Sequence, residues 1–515
     1  MSPGRPSQAP PEDALRPPAA GAGDGTGTPT PRGPARRLGV LRGVALPVGV
    51  VGVVVGCLLA WRDALHSGVF DDTFWHRAAG VWMLDHHRVI TRDVFSYTVT
   101  GHSWISPEWG YDVLLAQSVR WLGPVAFWLL SAGLASLTVV AVAVRSRMVG
   151  AGWTWTGLLC VETGAAVTLF LDDRPQVVSY FFVALLLVLL TRARRRRGWL
   201  WAVPVLFVLW ANLHGSFLLG LGILLLEVVA AAAPIRRGRL VVSEPLARRP
   251  VVIVFLASGV ATFVNPFGPG VYASALGVTF NQTVRRLIGE WQSPNFHDPA
   301  TLAVIVLPVV ITAAYVVLSD AEVPAVELVL AGFLLVSALD AARFIPYFAI
   351  GWCALAARCP PIRQERLRPS LLVWPLVAVL ALSMLHGPWH RAGQPAASVP
   401  VRAVAYLQHH PGRVFATYLW SDYLDWVGRP VFVDGRTELY TGDGVLSRYL
   451  ALDQLTADPD PELRSYDVSY VLWTPGTPLS TYLEHDARWR VVWRSGTAVV
   501  LHYVGPPTGG SLSGA

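Results

Sequence analysis

Long apolar runs alternate with short polar connections from residue 41 to residue 386. A helix that crosses a bilayer needs roughly 20 apolar residues, and runs of about this length predict transmembrane spans. Several runs are shorter, so the predicted count of about 11 carries a margin of two. The predicted spans are 41–61, 124–144, 152–170, 175–191, 199–213, 215–233, 251–265, 300–318, 323–339, 344–357 and 370–386. The pattern therefore predicts an α-helical polytopic membrane protein.

Both ends of the chain depart from this pattern. Residues 1–37 are rich in Pro, Gly, Ala and Thr and cannot bury an apolar core, so they are predicted to form a disordered cytoplasmic tail. The predicted transmembrane domain, 38–386, contains a long first loop at 62–123. Residues 387–505 alternate short strand-like runs, such as Val431-Phe-Val433, with helical stretches. They predict a small extracytoplasmic α/β domain, and the Gly- and Ser-rich residues 506–515 predict a flexible tail.

Composition excludes a soluble protein. Hydrophobic residues make up 53% of the chain and charged residues only 15%, against about 25% charged residues in average soluble domains. All 41 basic residues are Arg, because no Lys occurs in the sequence. No disulfide framework or thiolate zinc site is expected, since the four Cys lie in or at the end of apolar runs and form no C-x-x-C pair.

The Arg residues cluster in alternate connections between the predicted spans. The clusters lie at 145–147, 192–197, 236–249 and 358–368. Cytoplasmic connections carry an excess of basic residues, so these connections and the N-terminus are predicted to be inside, and the first loop and the C-terminal region outside. The basic excess therefore indicates topology and contact with membrane lipids, with no nucleic-acid partner.

The other polar residues at membrane borders fall on the predicted outer side. An ionised group at membrane depth costs roughly 2.5 to 3.5 kcal/mol on insertion scales, so a one-sided group of them predicts a shared hydrophilic cavity that faces the outer leaflet. The residues are Asp71, Asp72, His76, Glu108, Asp172, Asp173, Arg174, Asn212, His214, Asn265, Glu290, Asp340 and Arg343.

The first loop also carries a sequence resemblance. An acidic residue in a long first outer loop, on a many-span scaffold with an outer C-terminal domain, resembles the GT-C superfamily of glycosyltransferases, which take sugars from polyprenyl-phosphate carriers. More narrowly, the motifs resemble a bacterial family of GT-C-like membrane proteins over roughly residues 70 to 500. The motifs are Asp72-Thr-Phe-Trp75-His76, Asp93-Val-Phe-Ser-Tyr-Thr98, Trp104 through Glu108-Trp109, Arg174-Pro-Gln176, Asn212-Leu-His214-Gly215, Asn265-Pro266, Glu290-Trp-Gln-Ser293 and Asp434-Gly435-Arg436.

The resemblance implies an inverting membrane glycosyltransferase that moves a sugar from a polyprenyl phosphate to a glycan or lipid acceptor of the cell envelope. By matching position, Asp72 would be the catalytic base or help to hold a metal, with Asp71 in support and Glu108 as a further candidate. The expected substrate-binding residues are His76, Arg174, Asn212, His214, Glu290, Arg343, Asp434 and Arg436. No cofactor is certain, although a divalent metal ion is an open alternative.

The chemistry of the residues is consistent with this transfer. A base must take the proton of the acceptor hydroxyl, whereas a phosphate can leave without general-acid help, so one carboxylate suffices. Arg174, Arg343 and His214 could hold the departing phosphate, because a guanidinium binds phosphate through two parallel hydrogen bonds. The alternative is that the two Arg merely pair with Asp173 and Asp340.

The roles of several of these residues stay open on the sequence alone. The Asp71-Asp72 pair could cap a helix that starts near Thr73. His76 could be a metal ligand with Asp72 or Glu108, and Asp434-Gly435 could be only a turn. At the level of function, the alternative is a non-catalytic transporter or assembly protein that binds lipid or glycan on a GT-C scaffold.

Overall fold

The computed structural model describes residues 35–66, 69, 72–171, 173–233, 236–242, 244–359 and 394–505. Asp71, Asp172, the predicted span at 370–386, residues 1–34 and the predicted tail at 506–515 lie outside these residues.

Most of the described chain is helical. The helices up to residue 359 are α1 Ala35–His66, α2 Thr73–His86, α3 Trp109–Leu122, α4 Val125–Met148, α5 Trp153–Thr168, α6 Gln176–Arg195, α7 Ala202–Leu213, α8 Phe217–Ala232, α9 Arg248–Ala261, α10 Gly270–Phe280, α11 Gln282–Leu287, α12 Pro299–Leu318, α13 Ala325–Asp340 and α14 Ile345–Ala356.

A helix lies in each of the ten predicted spans that the described residues include. Among the described residues, four helical segments are both long and apolar enough to cross a membrane, and others are shorter apolar helices of 10–17 residues. The four long segments are Gly49–His66, Val125–Met148, Gln176–Arg195 and Pro299–Leu318. The predicted helices are therefore present where the hydrophobic pattern placed them, whereas the number of crossings stays a prediction.

Small residues bring α1 and α5 into close contact. A Cβ atom added to Gly52 would lie 2.4 Å from Gly157 Cα, and one added to Gly56 would lie 2.3 Å from the carbonyl oxygen of Cys160. Glycines at this spacing let helix backbones approach closely, which is a common packing mode between membrane helices. The contact positions α1, and with it the start of the first loop.

The chain between α1 and α4 corresponds to the predicted first loop. It contains α2 and α3, which pack against each other, and a loop from 87 to 108 between them. In the described part of the chain, short 3-10 helices also lie at Arg197–Trp201, Gly289–Trp291 and Ala342–Phe344. A small sheet is formed by β1 Arg236–Arg237, β2 Leu240–Val241 and β3 Val323–Pro324.

The region after residue 394 contains a four-stranded sheet in the order β4-β5-β7-β6. β4 and β5 are parallel, whereas β7 is antiparallel to both β5 and β6. The strands are β4 Arg413–Ala416, β5 Val468–Trp473, β6 Trp489–Arg494 and β7 Val499–Tyr503. The helices are α15 Val401–Gln408, α16 Tyr418–Trp426, α17 Thr437–Thr441, α18 Val445–Asp453, α19 Pro459–Ser465 and α20 Pro478–His485.

The strand-like run 431–433 is not part of this sheet. It pairs instead with the first loop, through an isolated parallel bridge between Ser96 and Val431. The amide of Tyr97 donates to the carbonyl of Val431 at 2.9 Å, and the Thr98 hydroxyl donates to the carbonyl of Phe432 at 2.6 Å. The first loop therefore satisfies both backbone groups of Val431 and the carbonyl of Phe432, and it joins the two regions next to the candidate site.

Candidate active site

Asp72 stands at the N-cap of α2, and its surroundings fix its position. Phe74, two residues on, is fully buried, with ring centroids 5.0 Å from Tyr423 and 5.2 Å from Trp426 of α16. One carboxylate oxygen of Asp72 accepts a hydrogen bond from the Trp75 indole at 3.3 Å. The side chain is 26% exposed. The carboxylate is therefore held by its own helix and remains accessible from one side.

A chain of alternating charges runs from Asp72. Arg174 Nη1 lies 3.5 Å from Asp72 Oδ2 and 3.4 Å from Glu290 Oε2. The other oxygen of Glu290 lies 3.3 Å from Arg343 Nη1. Arg343 also lies over the Trp291 ring, 4.3 Å from its centroid. These four residues come from the ends of four different segments, and their side chains are 10% to 26% exposed.

Glu108 and His214 form a second pair, with 3.6 Å between Glu108 Oε1 and His214 Nε2. Burial, and then the neighbouring carboxylate of Glu438, raise the pKa of Glu108 to about 8, against the opposing effect of Arg343. Burial and the charge of Arg343 lower the pKa of His214 to about 3. Near pH 7, Glu108 is therefore mostly protonated and His214 is neutral, so both offer hydrogen bonds without a net charge.

The other ring nitrogen of His214 is anchored by hydroxyl groups. His214 Nδ1 lies 2.8 Å from the Ser179 hydroxyl and 2.7 Å from that of Ser216, which in turn lies 3.1 Å from the Tyr347 hydroxyl. The indole of Trp210 donates to Ser179 at 2.8 Å. This network orients the imidazole so that Nε2 faces Glu108.

His76 is buried next to these side chains. It is 2% exposed, its Nδ1 lies 2.6 Å from Asp112 Oδ1, and its ring stacks on Trp75 at 3.6 Å between centroids. Burial, followed by the charges of Arg174 and His214, holds the pKa of His76 well below its usual range. Burial and Glu108 raise the pKa of Asp112 well above its own. Both shifts favour an uncharged His76–Asp112 pair. His76 stacks on Trp75, whose indole donates to Asp72, so the pair helps to hold Asp72 in place.

Asn212 is engaged entirely in protein contacts. Its carbonyl oxygen accepts from the Trp109 indole at 2.8 Å, and its amide nitrogen donates to the carbonyls of Val208 and Val264, each at 2.7 Å. The residue therefore ties α3 to α7 and to the end of α9, next to Glu108. We assign it a positioning role in place of the expected contact with substrate.

Asp434 and Arg436 are enclosed in the same way. Their side chains are 0% exposed, and Arg436 contacts Asp434 at 2.5 Å and Asp93 of the first loop at 2.7 Å. The guanidinium also lies over Trp104, 4.7 Å from the ring centroid. Neither side chain is exposed to a substrate at Asp72, so we assign both to positioning the turn that contains Gly435.

Gly435 is the part of this turn that reaches Asp72. A Cβ atom at this position would lie 2.5 Å from Asp72 Oδ1 and 2.6 Å from Trp75 Nε1. Only a residue without a side chain permits this approach. The Asp434-Gly435-Arg436 motif is thus more than a turn, because it places backbone from the C-terminal region directly against the candidate base.

Six of the sequence-predicted residues therefore meet in one place, namely Asp72, Glu108, Arg174, His214, Glu290 and Arg343. The alternative pairing of Arg343 with Asp340 does not occur, since Asp340 pairs with Arg285. Asp112 was missed by the sequence reasoning, although it lies four residues after Glu108 on one helix face. Ser179 was also missed, and a single Ser in an apolar run gives no signal that could have identified it.

A divalent metal at Asp72 is not favoured by the described residues. Its carboxylate is directed at Arg174, and His76 is directed at Asp112. Among the described residues, the grouping of three or more His, Cys, Asp or Glu ligand atoms that could hold a metal is Asp422, Asp425 and Asp434. We therefore derive no step at Asp72 through a metal.

Comparison with known proteins finds similarity in structure only. No family model matches the chain, and no curated protein matches it in sequence. ArnT from Cupriavidus metallidurans, solved with undecaprenyl phosphate, is 15% identical with a TM-score of 0.51, over 91% of this chain and 98% of ArnT. The oligosaccharyltransferase AglB from Archaeoglobus fulgidus, solved with an inhibitory peptide and a dolichol-phosphate, is 12% identical with a TM-score of 0.51, over 83% of this chain and 69% of AglB.

A second structure of the Archaeoglobus fulgidus oligosaccharyltransferase, tethered to an acceptor peptide, gives a TM-score of 0.54 at 11% identity, over 82% of this chain and 68% of the other. At such identities the likeness concerns the fold. Both neighbours are GT-C proteins, and the match extends from the helices into the region beyond residue 394, because it covers more than four fifths of the chain. The chain thus shares the fold of these two GT-C proteins, in agreement with the fold that its motifs led us to expect.

Proposed function

We propose that this protein is a membrane glycosyltransferase that moves a sugar from a polyprenyl-phosphate carrier to an acceptor in the cell envelope. The observation that carries the proposal is the accessible carboxylate of Asp72 beside two Arg residues, Arg174 and Arg343, which share Glu290. The GT-C fold of ArnT and AglB, whose structures contain undecaprenyl phosphate and dolichol-phosphate, supports the class of donor.

The proposed reaction uses Asp72 as general base. Its carboxylate takes the proton of an acceptor hydroxyl, and the hydroxyl oxygen attacks the anomeric carbon of the sugar from the face opposite the phosphate. The bond from that carbon to the phosphate oxygen breaks, and polyprenyl phosphate leaves with the electron pair. A single displacement of this kind inverts the anomeric configuration. It needs one base and no second carboxylate nucleophile.

The charge chain is suited to hold the phosphate. Glu290 is bound by both Arg174 and Arg343 through contacts of 3.3 and 3.4 Å, longer than the distances of tight charge-assisted hydrogen bonds. A phosphate oxygen could therefore take the place of a carboxylate oxygen on either guanidinium at little cost. Because Glu108 and His214 are mostly uncharged near pH 7, they would not repel the anion.

The site is proposed to face the outer side of the cytoplasmic membrane. The Arg clusters at 145–147, 192–197, 236–249 and 358–368 support this orientation, with the N-terminus inside and the region after 394 outside. Reporter fusions after Val44, Gly198 and Pro400 should read inside, inside and outside. An inside signal at Pro400 would overturn the orientation.

The test of the function is the substitution Asp72→Asn, which keeps the shape of the side chain and removes the base. In a strain that lacks the protein, complementation with wild type should restore the envelope glycan and clear the accumulated lipid-linked sugar, whereas the Asn variant should do neither. Loss of a general base typically costs 10²- to 10⁴-fold in rate.

Asp85→Asn is the matched control. Asp85 lies near the end of the same helix, and its exposed side chain pairs with Arg120 on the surface. This variant should complement fully at equal expression. If the Asp72→Asn protein also restores the glycan fully, Asp72 is not the base, and the alternative of a protein that binds lipid or glycan without converting it is favoured.

A further inference from the structure

A second group of carboxylates lies directly behind the Asp434-Gly435-Arg436 turn. Asp422 and Asp425 stand three residues apart on one face of α16, and Asp434 ends the run that pairs with the first loop. The three residues are 0%, 3% and 0% exposed. One ligand oxygen from each lies within 4.8 Å of those of the other two. This group is separate from the charge chain that includes Asp72.

The hydrogen bonds around the group leave one carboxylate without any. Asp434 accepts from the Arg436 guanidinium and from the Tyr440 hydroxyl, at 2.5 to 2.9 Å. Asp422 Oδ1 accepts from the Gly435 amide at 2.7 Å. Both oxygens of Asp425 are buried, and neither accepts a hydrogen bond within the described part of the chain. A buried carboxylate without a partner is costly.

The local charges do not balance. Asp93 and Asp434 both contact one guanidinium, that of Arg436, and among the described residues no ion pair joins a cation to Asp425. A buried charge without a counter-charge is unfavourable, so the group needs either a proton or a further cation.

We propose that Asp422, Asp425 and Asp434 bind a hard divalent cation, Ca²⁺ or Mg²⁺. All the available ligand atoms are carboxylate oxygens, which such cations prefer, and no His or Cys belongs to the group. Asp425 supplies the oxygens that no protein donor uses, Asp422 supplies its second oxygen, and Asp434 is shared with Arg436. The cation balances charge that one guanidinium leaves uncompensated.

The consequence of binding is structural. The cation links α16 to the turn whose middle residue, Gly435, packs against Asp72. The Gly435 amide already donates to Asp422, so a cation on Asp422 and Asp434 would fix both sides of this turn. Since binding is measured without turnover, the inference does not rest on the proposed function and can fail independently of it.

The experiment measures divalent cations on the purified full-length protein in detergent. After treatment with a chelator and gel filtration, Ca²⁺ or Mg²⁺ is added back separately, and thermal unfolding and bound metal are measured, the latter by mass spectrometry. Wild type should gain roughly 5 °C or more in Tm with the preferred cation, since a ligand that binds the folded state stabilises it. It should retain about one equivalent of that cation.

Three variants distinguish the outcomes. Asp425→Asn keeps the shape of a protonated Asp and should lose the bound cation and the gain in Tm, whereas Asp467→Asn, whose side chain is 90% exposed in the same region, should keep both. Asp72→Asn should also keep both, because Asp72 is not a ligand. If wild type shows no response to either cation, or if Asp425→Asn retains the metal or Asp72→Asn loses it, the proposed site is wrong. The first of these results would mean that Asp425 holds a proton instead.

Discussion

Two sets of Arg-carboxylate contacts flank Asp72, and they differ in how firmly they are held. On one side, Arg174 and Arg343 contact carboxylates at 3.3 to 3.5 Å, with side chains that are 10% and 18% exposed. On the other side, Arg436 contacts Asp93 and Asp434 at 2.5 to 2.7 Å, with no exposure at all. The same residue types therefore occur in an open and in a closed arrangement within one site.

The difference shows how one site can combine Arg contacts that exchange their partner with Arg contacts that hold the backbone rigidly. An accessible guanidinium with long contacts can exchange a carboxylate for a phosphate. Water and the incoming anion compensate the lost contact with the carboxylate. A fully buried guanidinium cannot trade partners without leaving uncompensated charge behind. The open Arg residues suit ligand binding, whereas Arg436 suits the permanent attachment of the C-terminal region to the first loop.

The largest expected effect is on Arg436. Arg436→Met keeps much of the volume but leaves Asp93 and Asp434 buried without their cation, so unfolding of the region after residue 394 should become easier by about 3–5 kcal/mol. The expected result is a lower Tm and faster cleavage of this region by added protease. Both are measured on the purified protein.

Arg494→Met is the control for this substitution. Arg494 is 46% exposed and pairs with Glu484 at the surface of β6, and exposed pairs contribute about 0–1 kcal/mol. Its Tm should therefore change little. If Arg436→Met is as stable as Arg494→Met, the closed arrangement is not what attaches the two regions.

The second-largest expected effect is at Gly435, which belongs to the turn of the closed arrangement and packs against Asp72 of the open one. Gly435→Ala places a methyl group within 2.5 Å of Asp72 Oδ1, so the turn or Asp72 must move. Overpacking of this kind typically costs about 1–3 kcal/mol. We expect a large loss of complementation with only a modest fall in Tm, because the clash falls on the candidate base. Gly442→Ala, where a Cβ would meet nothing within 4 Å, should behave as wild type.

The open arrangement could be anticipated from the sequence, whereas the closed one could not. Arg174 and Arg343 stand at the ends of apolar runs, Glu290 lies in the connection between two of them, and ionised groups there must share a hydrophilic space. Their convergence follows from the cost of an ionised group at membrane depth. It follows also from the alternation of inside and outside connections, which puts all three residues on the same predicted side. The same reasoning identified Glu108 and His214, which lie at equivalent positions in the chain.

Burial of Arg436 depends on contacts that span most of the chain. The hydroxyl of Thr98 bonds to the carbonyl of Phe432, 334 residues away, and this pairing encloses Arg436 against Asp93. A run such as 431–433 looks the same in a sequence whether it joins a sheet or a distant loop. Local pattern therefore predicted a strand, and the family resemblance implied a substrate-binding role for Arg436. Neither indicated the first-loop segment that buries both.

The third effect tests whether the open arrangement binds phosphate. Arg343→Gln removes a cation that lies beside Glu290 but leaves Glu290 its contact with Arg174. Affinity for undecaprenyl phosphate, measured on the purified protein, should fall about tenfold, equivalent to about 1.4 kcal/mol. Arg285→Gln, which breaks a surface pair with Asp340, should leave affinity unchanged. Equal affinity of the two variants would contradict a phosphate role for Arg343.

The smallest expected effect is the pH dependence contributed by Glu108. Its pKa is raised to about 8 in the folded protein, first by burial and then by Glu438, whereas an unfolded Glu titrates near 4.3. The folded state therefore binds the extra proton between about pH 5 and 8, and stability should fall as pH rises through this window. Because the side chain is 22% exposed, water screens part of its charge and reduces the effect. Glu108→Gln should show a shallower fall of Tm over this window than wild type, and Glu322→Gln, at a side chain that is 57% exposed, should keep the wild-type slope. Parallel curves for wild type and Glu108→Gln would show that Glu108 is ionised like an ordinary surface residue and does not join the uncharged pair with His214.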